Sequence, residues 1–303
     1  MARRRRGLPV NGVLLLDKPA GMSSNHALQR VRRLFQAQKA GHTGTLDPMA
    51  TGLLPVCFGE ATKFSSYLLD ADKRYRTYVR LGEITDTGDA EGEIVERRSV
   101  AGFTDADIEK VLASFCGEID QVPPMYSALK HQGKPLYELA RQGKTIERAP
   151  RRVRVYDMRL LARDAMGFEL EVACSKGTYI RTLAEDIGQA LGCGAHITAL
   201  RRLRTGAFDD SGMVSLEALA SMSDQAEREL QLLEMDVLVK HLPRLSVDGD
   251  VAKRLLLGQC VQTDTAGLSI GSTARLYRDN VFLGLVTILV AGEVTPRRLV
   301  ATA

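Results

Sequence analysis

The sequence predicts a mixed α/β protein, with one large domain followed by a smaller β-rich unit. Three observations carry this. Residues 75–81 and 168–174 alternate with a period of two, as half-buried strands do, and residues 24–35, 104–116 and 180–191 place apolar side chains at helical spacing. After a break at Leu242-Pro243 the chain returns to short strand-like runs, with one short helix around Ala252 to Leu257 closed by Gly258. With 303 residues, 45% of them hydrophobic, there is enough chain for a large core and a small second one. The expected division is a basic flexible tail over 1–10, a main domain over 11–240 and the small unit over 245–303.

In chain order, Met1 to Leu8 carry the arginine run Arg3 to Arg6 and read as a tail that orders only on something acidic. Val13-Leu14-Leu15-Leu16 reads as a buried strand, ended by Asp17-Lys18-Pro19-Ala20-Gly21 with Lys18 at its tip. Ser23 or Ser24 can cap a helix in which Leu28, Val31, Leu34 and Phe35 share a face, leaving Arg30, Arg32 and Arg33 mostly outside it.

That helix delivers the chain to the stretch from Gly41 to Gly52, on which the functional reading turns. Its three glycines allow sharp turns or close approach to a ligand, and Pro48 restricts Asp47 to extended backbone. Thr43, Thr45 and Thr51 add hydroxyls and His42 an imidazole, so Asp47 is the candidate reactive group. The plainer alternative makes Asp47 a helix cap with Pro48 at the first helical position. Against it, Leu53-Leu54-Pro55-Val56 reads as an extended apolar run. A phosphate-binding loop needs a lysine after its last glycine, which this stretch lacks; Gly143-Lys144-Thr145 has Glu138 where that motif's first glycine belongs.

Tyr75, Thr77, Val79 and Leu81 form the apolar side of the next strand, so Tyr75 suits either a core edge or a wall on which a base stacks. Thr85 to Asp89 is a turn. Thr104 with Asp107 makes a capping box for a helix whose buried stripe is Ile108, Val111, Leu112 and Phe115. The basic, proline-started segment from Gln121 to Lys134, which includes Lys130, reads as a mobile loop over a site. Phe168, Leu170, Val172 and Cys174 alternate inward and run into a helix striped by Ile180, Leu183, Ala184, Ile187 and Leu191. Arg181 stands in that helix's first turn, where a cation opposes the macrodipole by about 0.3–1 kcal/mol. It is either solvated or paired with an acid elsewhere, and Asp47 is the candidate partner. Beyond it come His196, the run Leu200-Arg201-Arg202-Leu203-Arg204, a helical region from Ser215 to Leu233, a turn at Tyr277 to Asn280 and a strand from Val281 to Val290.

Lys+Arg 41 against Asp+Glu 37 leaves a net charge of only +4, yet the arginines fall in five clusters, which together favour nucleic acid. The five cysteines are odd in number and contain no Cys-x-x-Cys pair, which argues against a disulfide framework or structural zinc site and for a reducing compartment. Cys193-x-x-His196 offers two metal ligands without a second pair, so no metal is expected. No apolar run reaches membrane-spanning length, and a cytoplasmic protein is expected.

Gly41-His42-Thr43-Gly44-Thr45-Leu46-Asp47-Pro48 resembles the active-site loop of the TruB-type tRNA pseudouridine synthases. Further matches follow in the family's order: Gly12 to Pro19, Lys73-Arg74-Tyr75, Pro123-Pro124-Met125-Tyr126-Ser127-Ala128-Leu129-Lys130, and Cys174 to Leu183. The chain from about Leu245, with Pro296-Arg297-Arg298-Leu299, resembles the PUA-like RNA-binding domain that ends these enzymes. The resemblance implies a catalytic domain with a central, mainly antiparallel sheet. It implies isomerisation of the uridine at position 55 in the T-arm loop of tRNA, by base flipping and without a cofactor. It also implies roles: Asp47 as catalytic aspartate, Tyr75 stacked on the target base, Arg181 paired with the aspartate, His42 helping to turn out the base, Tyr179 and Leu200 lining the pocket, and Lys18 and Lys130 near the RNA. The Pro123-to-Arg151 segment would fold over the RNA. A monomer is expected. An RNA-binding or RNA-remodelling protein, which the arginine clusters and the C-terminal unit would explain without Asp47, and an aspartate-nucleophile hydrolase are the alternatives; the hydrolase lacks an evident metal site.

Overall fold

The computed structural model describes residues 7–100, 102–290 and 292–301. Its framework is a nine-stranded sheet of β1 (Gly12–Lys18), β2 (Ala40–His42), β3 (Thr51–Phe58), β4 (Lys73–Leu81), β5 (Gly117–Gln121), β6 (Arg151–Arg163), β7 (Gly167–Cys174), β8 (Ala195–Thr205) and β9 (Val214–Ser215). The strands lie in the order β9-β1-β3-β8-β4-β7-β6-β5, with β2 paired to β3. Only β9 with β1 and β8 with β3 run parallel, so the expected mainly antiparallel sheet is what forms.

Local chemistry places the helices as expected. Ser23 accepts from the His26 N–H to start α1 (Ser24–Leu34), and Thr104 and Asp107 close a capping box at α2 (Asp105–Ser114). A third helix, α3 (Ile180–Ala190), follows the turn after β7. Leu28 and Val31 of α1, Ile108 and Leu112 of α2, and Leu183 and Ile187 of α3 share one core with Leu14, Leu16, Val79 and Leu170 of the sheet. Burying each such side chain stabilises by about 1.5–3 kcal/mol, which outweighs the modest helix propensities involved.

The small unit contains β10 (Arg244–Ser246), α4 (Gly249–Leu256), β11 (Val261–Gln262), β12 (Thr273–Arg278), β13 (Val281–Val290) and β14 (Glu293–Leu299), in the sheet order β10-β12-β13-β14-β11. Asp279 and Asn280 both take positive φ (49° and 67°) between β12 and β13, as a tight two-residue hairpin requires. The unit has its own core around Leu255, Leu276 and Val286. It also shares one with the main domain, where Leu285 and Val300 pack with Phe64, Leu238 and the β1 and β3 residues Val13, Leu15 and Leu53.

Two expectations change here. Residues 1–6 of the anticipated tail lie outside the described residues, but residues 7–10 do not behave as a tail. Leu8 exchanges backbone hydrogen bonds with Gln36 and Gln38 at 2.7 and 3.0 Å, and Val10 is buried. The segment from Pro123 to Arg151 is folded: it holds a hairpin of Lys130–His131 with Lys134–Pro135 and a helical turn Leu136–Ala140 whose Leu136 and Leu139 are buried.

Candidate active site

The loop that presents Asp47 is tied down on both sides of it. The Leu46 N–H donates to the Ser24 hydroxyl at 2.7 Å, and that hydroxyl donates back to the Leu46 carbonyl at 3.0 Å. After Asp47, the Pro48 carbonyl accepts from the Gly21 N–H at 2.9 Å and from the Lys18 ammonium at 3.2 Å. Ser24 opens α1 and Lys18 closes β1, so the first strand and helix hold the carboxylate in place.

Arg181 enters from the first turn of α3, where no acidic residue accompanies it. Its Nε lies 3.0 Å from Asp47 Oδ2, one terminal nitrogen lies 3.5 Å from Asp89 Oδ2 and donates to the Thr87 carbonyl at 2.9 Å, and the other donates to the Tyr126 carbonyl at 2.6 Å. One guanidinium thus joins the Asp47 loop, the turn after β4 and the base of the Pro123-to-Arg151 segment. The residue before the helix is fixed as well: Gln121 accepts from the Tyr179 N–H at 2.8 Å and donates to its carbonyl at 3.0 Å.

These residues meet in a cavity of about 310 Å³ lined by Asp47, Tyr75, Tyr179, Arg181, Leu200 and Arg202, with Ser127 and Leu129 at the side of the folded segment. Asp47 keeps 32% of its side chain exposed, whereas Arg181 and Asp89 keep 3% and 5%, so among the three it is the acid that a ligand can reach. Burial pushes the Asp47 carboxyl above the ordinary carboxylate value; Arg181 opposes the rise and Asp89 reinforces it. Burial also raises the Tyr75 and Tyr179 phenols, which keeps both neutral rings available for stacking.

Five of the sequence-predicted residues, Asp47, Tyr75, Tyr179, Arg181 and Leu200, therefore converge. The other three do not line the cavity. His42 sits on β2, its Nδ1 buried without a hydrogen-bond partner among the described residues, and burial lowers its pKa. Lys130 is exposed on the hairpin next to the lining residue Leu129. Lys18 is a correction. It is fully buried, and its ammonium donates to the carbonyls of Pro19, Met22 and Pro48, so it braces the Asp47 loop instead of meeting RNA. Burial lowers its pKa to about 8. His196 Nδ1 lies 2.9 Å from the Glu83 carbonyl, and no cluster of three or more metal-ligating side chains occurs among the described residues.

Three site residues escaped the sequence reading. Asp89 was hidden in what looked like a plain turn. Arg202 read as part of an arginine run and Lys73 only as part of the Lys73-Arg74-Tyr75 match, yet both are buried against the cavity. A signal was present: Arg202 stands two residues beyond Leu200 on one strand face, and Lys73 two before Tyr75.

Comparison with known proteins agrees with this geometry. Residues 32–180 match the N-terminal domain of TruB family pseudouridylate synthases, 181–241 a tRNA pseudouridylate synthase B C-terminal domain, and 243–300 the C-terminal domain described for pseudouridine synthase II TruB. The chain is 70% identical over 303 residues to the tRNA pseudouridine synthase B of Chromohalobacter salexigens, covering 100% of this chain and 98% of that protein. It is 54% identical to that of Methylobacillus flagellatus, covering 97% and 96%. In fold it is similar to a chain from an H/ACA RNP bound to a substrate RNA containing 2'-deoxyuridine (TM-score 0.72, 22% identity, covering 100% and 92%). It is likewise similar to one from the archaeal box H/ACA sRNP Nop10-Cbf5 complex (TM-score 0.70, 24% identity, covering 99% and 92%). With its sheet, its domain matches and its close relatives all in accord, the chain belongs to the TruB family of pseudouridylate synthases, isomerases that turn uridine into pseudouridine in tRNA.

Proposed function

We propose that this chain isomerises the uridine at position 55 in the T-arm loop of tRNA, with Asp47 as the catalytic residue. The observation that carries the reading is the Asp47–Arg181 pair, 3.0 Å apart, at the reachable side of a cavity walled by Tyr75, Tyr179 and Leu200. The reaction must break the C–N glycosidic bond, turn the uracil without losing it and form a C–C bond. A carboxylate held at one point of a closed pocket suits the first step, and aromatic walls suit the second.

A base inside a folded loop is out of reach, so the enzyme flips it at a cost of a few kcal/mol. Stacking on Tyr75 and phosphate contacts from the exposed arginines offset that cost. Arg181 Nε approaches Asp47 Oδ2 at 3.0 Å, and we read the other oxygen of this partly exposed carboxylate as the one that meets the ribose or the base. Because the same guanidinium binds the Tyr126 carbonyl, the Pro123-to-Arg151 segment is in register with the acid, and we read it, with Lys130, as the part that closes over the RNA. We read His42, at the start of the loop, as helping to displace the base. We read the unit after residue 245 as a PUA-like RNA-binding domain whose Arg297 and Arg298 meet the phosphate backbone. The five unpaired cysteines support a reducing compartment, the cytoplasm, and the chain is proposed to act as a monomer.

The test is tritium release from T-arm stem-loop RNA carrying [5-³H]uridine, with native protein beside Asp47→Asn. Native protein should release tritium, and the variant should lose turnover by at least about 10³-fold while binding the RNA within a few fold, as expected when a group acts only on the reacting atoms. Equal loss of binding and turnover would count against Asp47, and binding without release by native protein would favour an RNA-binding function.

A further inference from the structure

Arg202 is one of the largest side chains with almost no exposure, at 1%. It lies on β8 directly opposite Tyr75 of β4, so both side chains share one face of the sheet, and both line the cavity. Its Nε donates to the Leu53 carbonyl at 2.7 Å, and a terminal nitrogen reaches the Gly44 carbonyl at 3.5 Å. Among the described residues no carboxylate pairs with it. A guanidinium buried without a counter-ion carries a desolvation cost that no opposite charge offsets. Lys73 adds to the excess at the same wall: it too is buried, and among the described residues its ammonium donates only to the carbonyls of Leu68, Leu69 and Ala71. Arg202's charge reaches through the site, helping burial to lower Lys73 to about 8 and opposing the rise in the Tyr75 phenol.

Uridine isomerisation generates an anion in this place. When the bond from C1' to N1 breaks, its electron pair leaves with the base, and the uracil ring carries negative charge spread over N1, O2 and O4. C1' is left electron-poor, to be met by a nucleophile or relieved by loss of a neighbouring proton. The charge persists while the ring turns. It is discharged when C5 bonds to C1' as the nucleophile departs or C2' regains its proton, the C5 hydrogen leaves as a proton and N1 takes one up.

We propose that Arg202 is the electrostatic stabiliser of the departing uracil anion, its unpaired guanidinium standing beside the ring face that Tyr75 offers the base. The assignment rests on the isomerase reading above. Arg181 cannot serve in its place, because Asp47 and Asp89 already answer its charge. The pocket so divides its labour: the acid and its arginine act at the sugar end, and the second arginine at the base.

The test compares Arg202→Gln with native protein on two stem-loops at saturating concentration, one with uridine and one with 5-fluorouridine at the target. Fluorine draws charge from the departing ring, so the fluorinated base depends less on outside stabilisation. The readout is first-turnover consumption of the target nucleoside, together with RNA affinity. Loss of one preorganised donor to a developing anion lowers kcat by about 10²–10³. Arg202→Gln should therefore slow uridine by about that factor and 5-fluorouridine at least about tenfold less, with Arg202→Lys between native and Gln. A purely structural arginine would slow both substrates by the same factor, and that result, or no slowing, overturns the proposal. Should Arg202→Gln fail to fold, as seen by thermal melting, the Arg202→Lys pair of rates decides by the same ratio. Native protein that leaves uridine unchanged would instead overturn the isomerase reading, and this proposal with it.

Discussion

Two arginines buried in one cavity differ in what answers their charge. Arg181 meets two carboxylates and two carbonyls, drawn from three separate pieces of backbone. Among the described residues Arg202 meets two carbonyls and no acid. The first is therefore a fastener, whose charge is spent on holding the Asp47 loop, the Thr87–Asp89 turn and the Tyr126 segment in mutual register. The second leaves its charge in the pocket. Burial alone does not separate these roles; the list of partners does.

The largest effect should come from breaking the fastener. Arg181→Met strands Asp47 and Asp89 without their shared partner, and removing one member of a buried ion pair typically costs 3–5 kcal/mol. Urea denaturation should show a loss of about that size, with tritium release falling by more than about 10³-fold. Arg181→Lys keeps the charge but not the three-way geometry, so it should recover most of the stability and little of the rate. Full activity in the lysine variant would show that charge, and not the shape of the contact, is what Arg181 supplies.

Lys18 sharpens the contrast from the other side, because it repeats the Arg202 pattern on a group that can release its proton. It is fully buried, meets only carbonyls, and burial lowers its pKa from 10.5 to about 8. Between about pH 8 and 10.5 the unfolded chain holds a proton that the folded chain has given up, so this group makes stability rise with pH across that window. Below pH 8 the ammonium is charged in both states and the full cost of burying it stands. Stability of the native protein relative to Lys18→Met, from urea titrations at several pH values, should rise by up to about 3 kcal/mol over the window, as 1.36 kcal/mol per unit of pKa difference implies. A flat difference would mean that Lys18 is not desolvated in solution.

Much of this was legible in the residues. The Asp47–Arg181 pair followed from two local misfits, a proline-held acid in a glycine-rich loop and a cation in the wrong turn of a helix. The caps at Ser23 and Thr104 and the alternation in β4 and β7 were readable for the same reason: each depends on neighbours within a few positions. What failed was the fate of cations. Lys18, Lys73 and Arg202 sit on strand faces beside apolar or aromatic residues, but lysine and arginine are so seldom fully buried that local pattern assigns them to the surface. Their burial depends on backbone carbonyls brought in from distant segments, such as Leu53 and Gly44 for Arg202 and Pro48 for Lys18. Asp89 was missed likewise, since its partner lies on a helix far along the chain.

Asp89 supplies the smallest and most selective change. It is the second acid on Arg181, and its negative charge adds to the burial that pushes Asp47 above the ordinary carboxylate value. Turnover by an ionised Asp47 is retained above that raised pKa and lost as pH falls through it. Asp89→Asn removes one raising charge and leaves Arg181 with a single carboxylate, so Asp47 should ionise more readily and the acid limb of the rate profile should move to lower pH. The amide keeps the size and polarity of the carboxylate beside Arg181, so the fold should survive and the rate near neutral pH should drop by a lesser factor than in Arg181→Met. An acid limb that stays in place would mean that the Asp89 charge is already cancelled at Arg181, and that Arg181 insulates Asp47 from its neighbour as well as holding it.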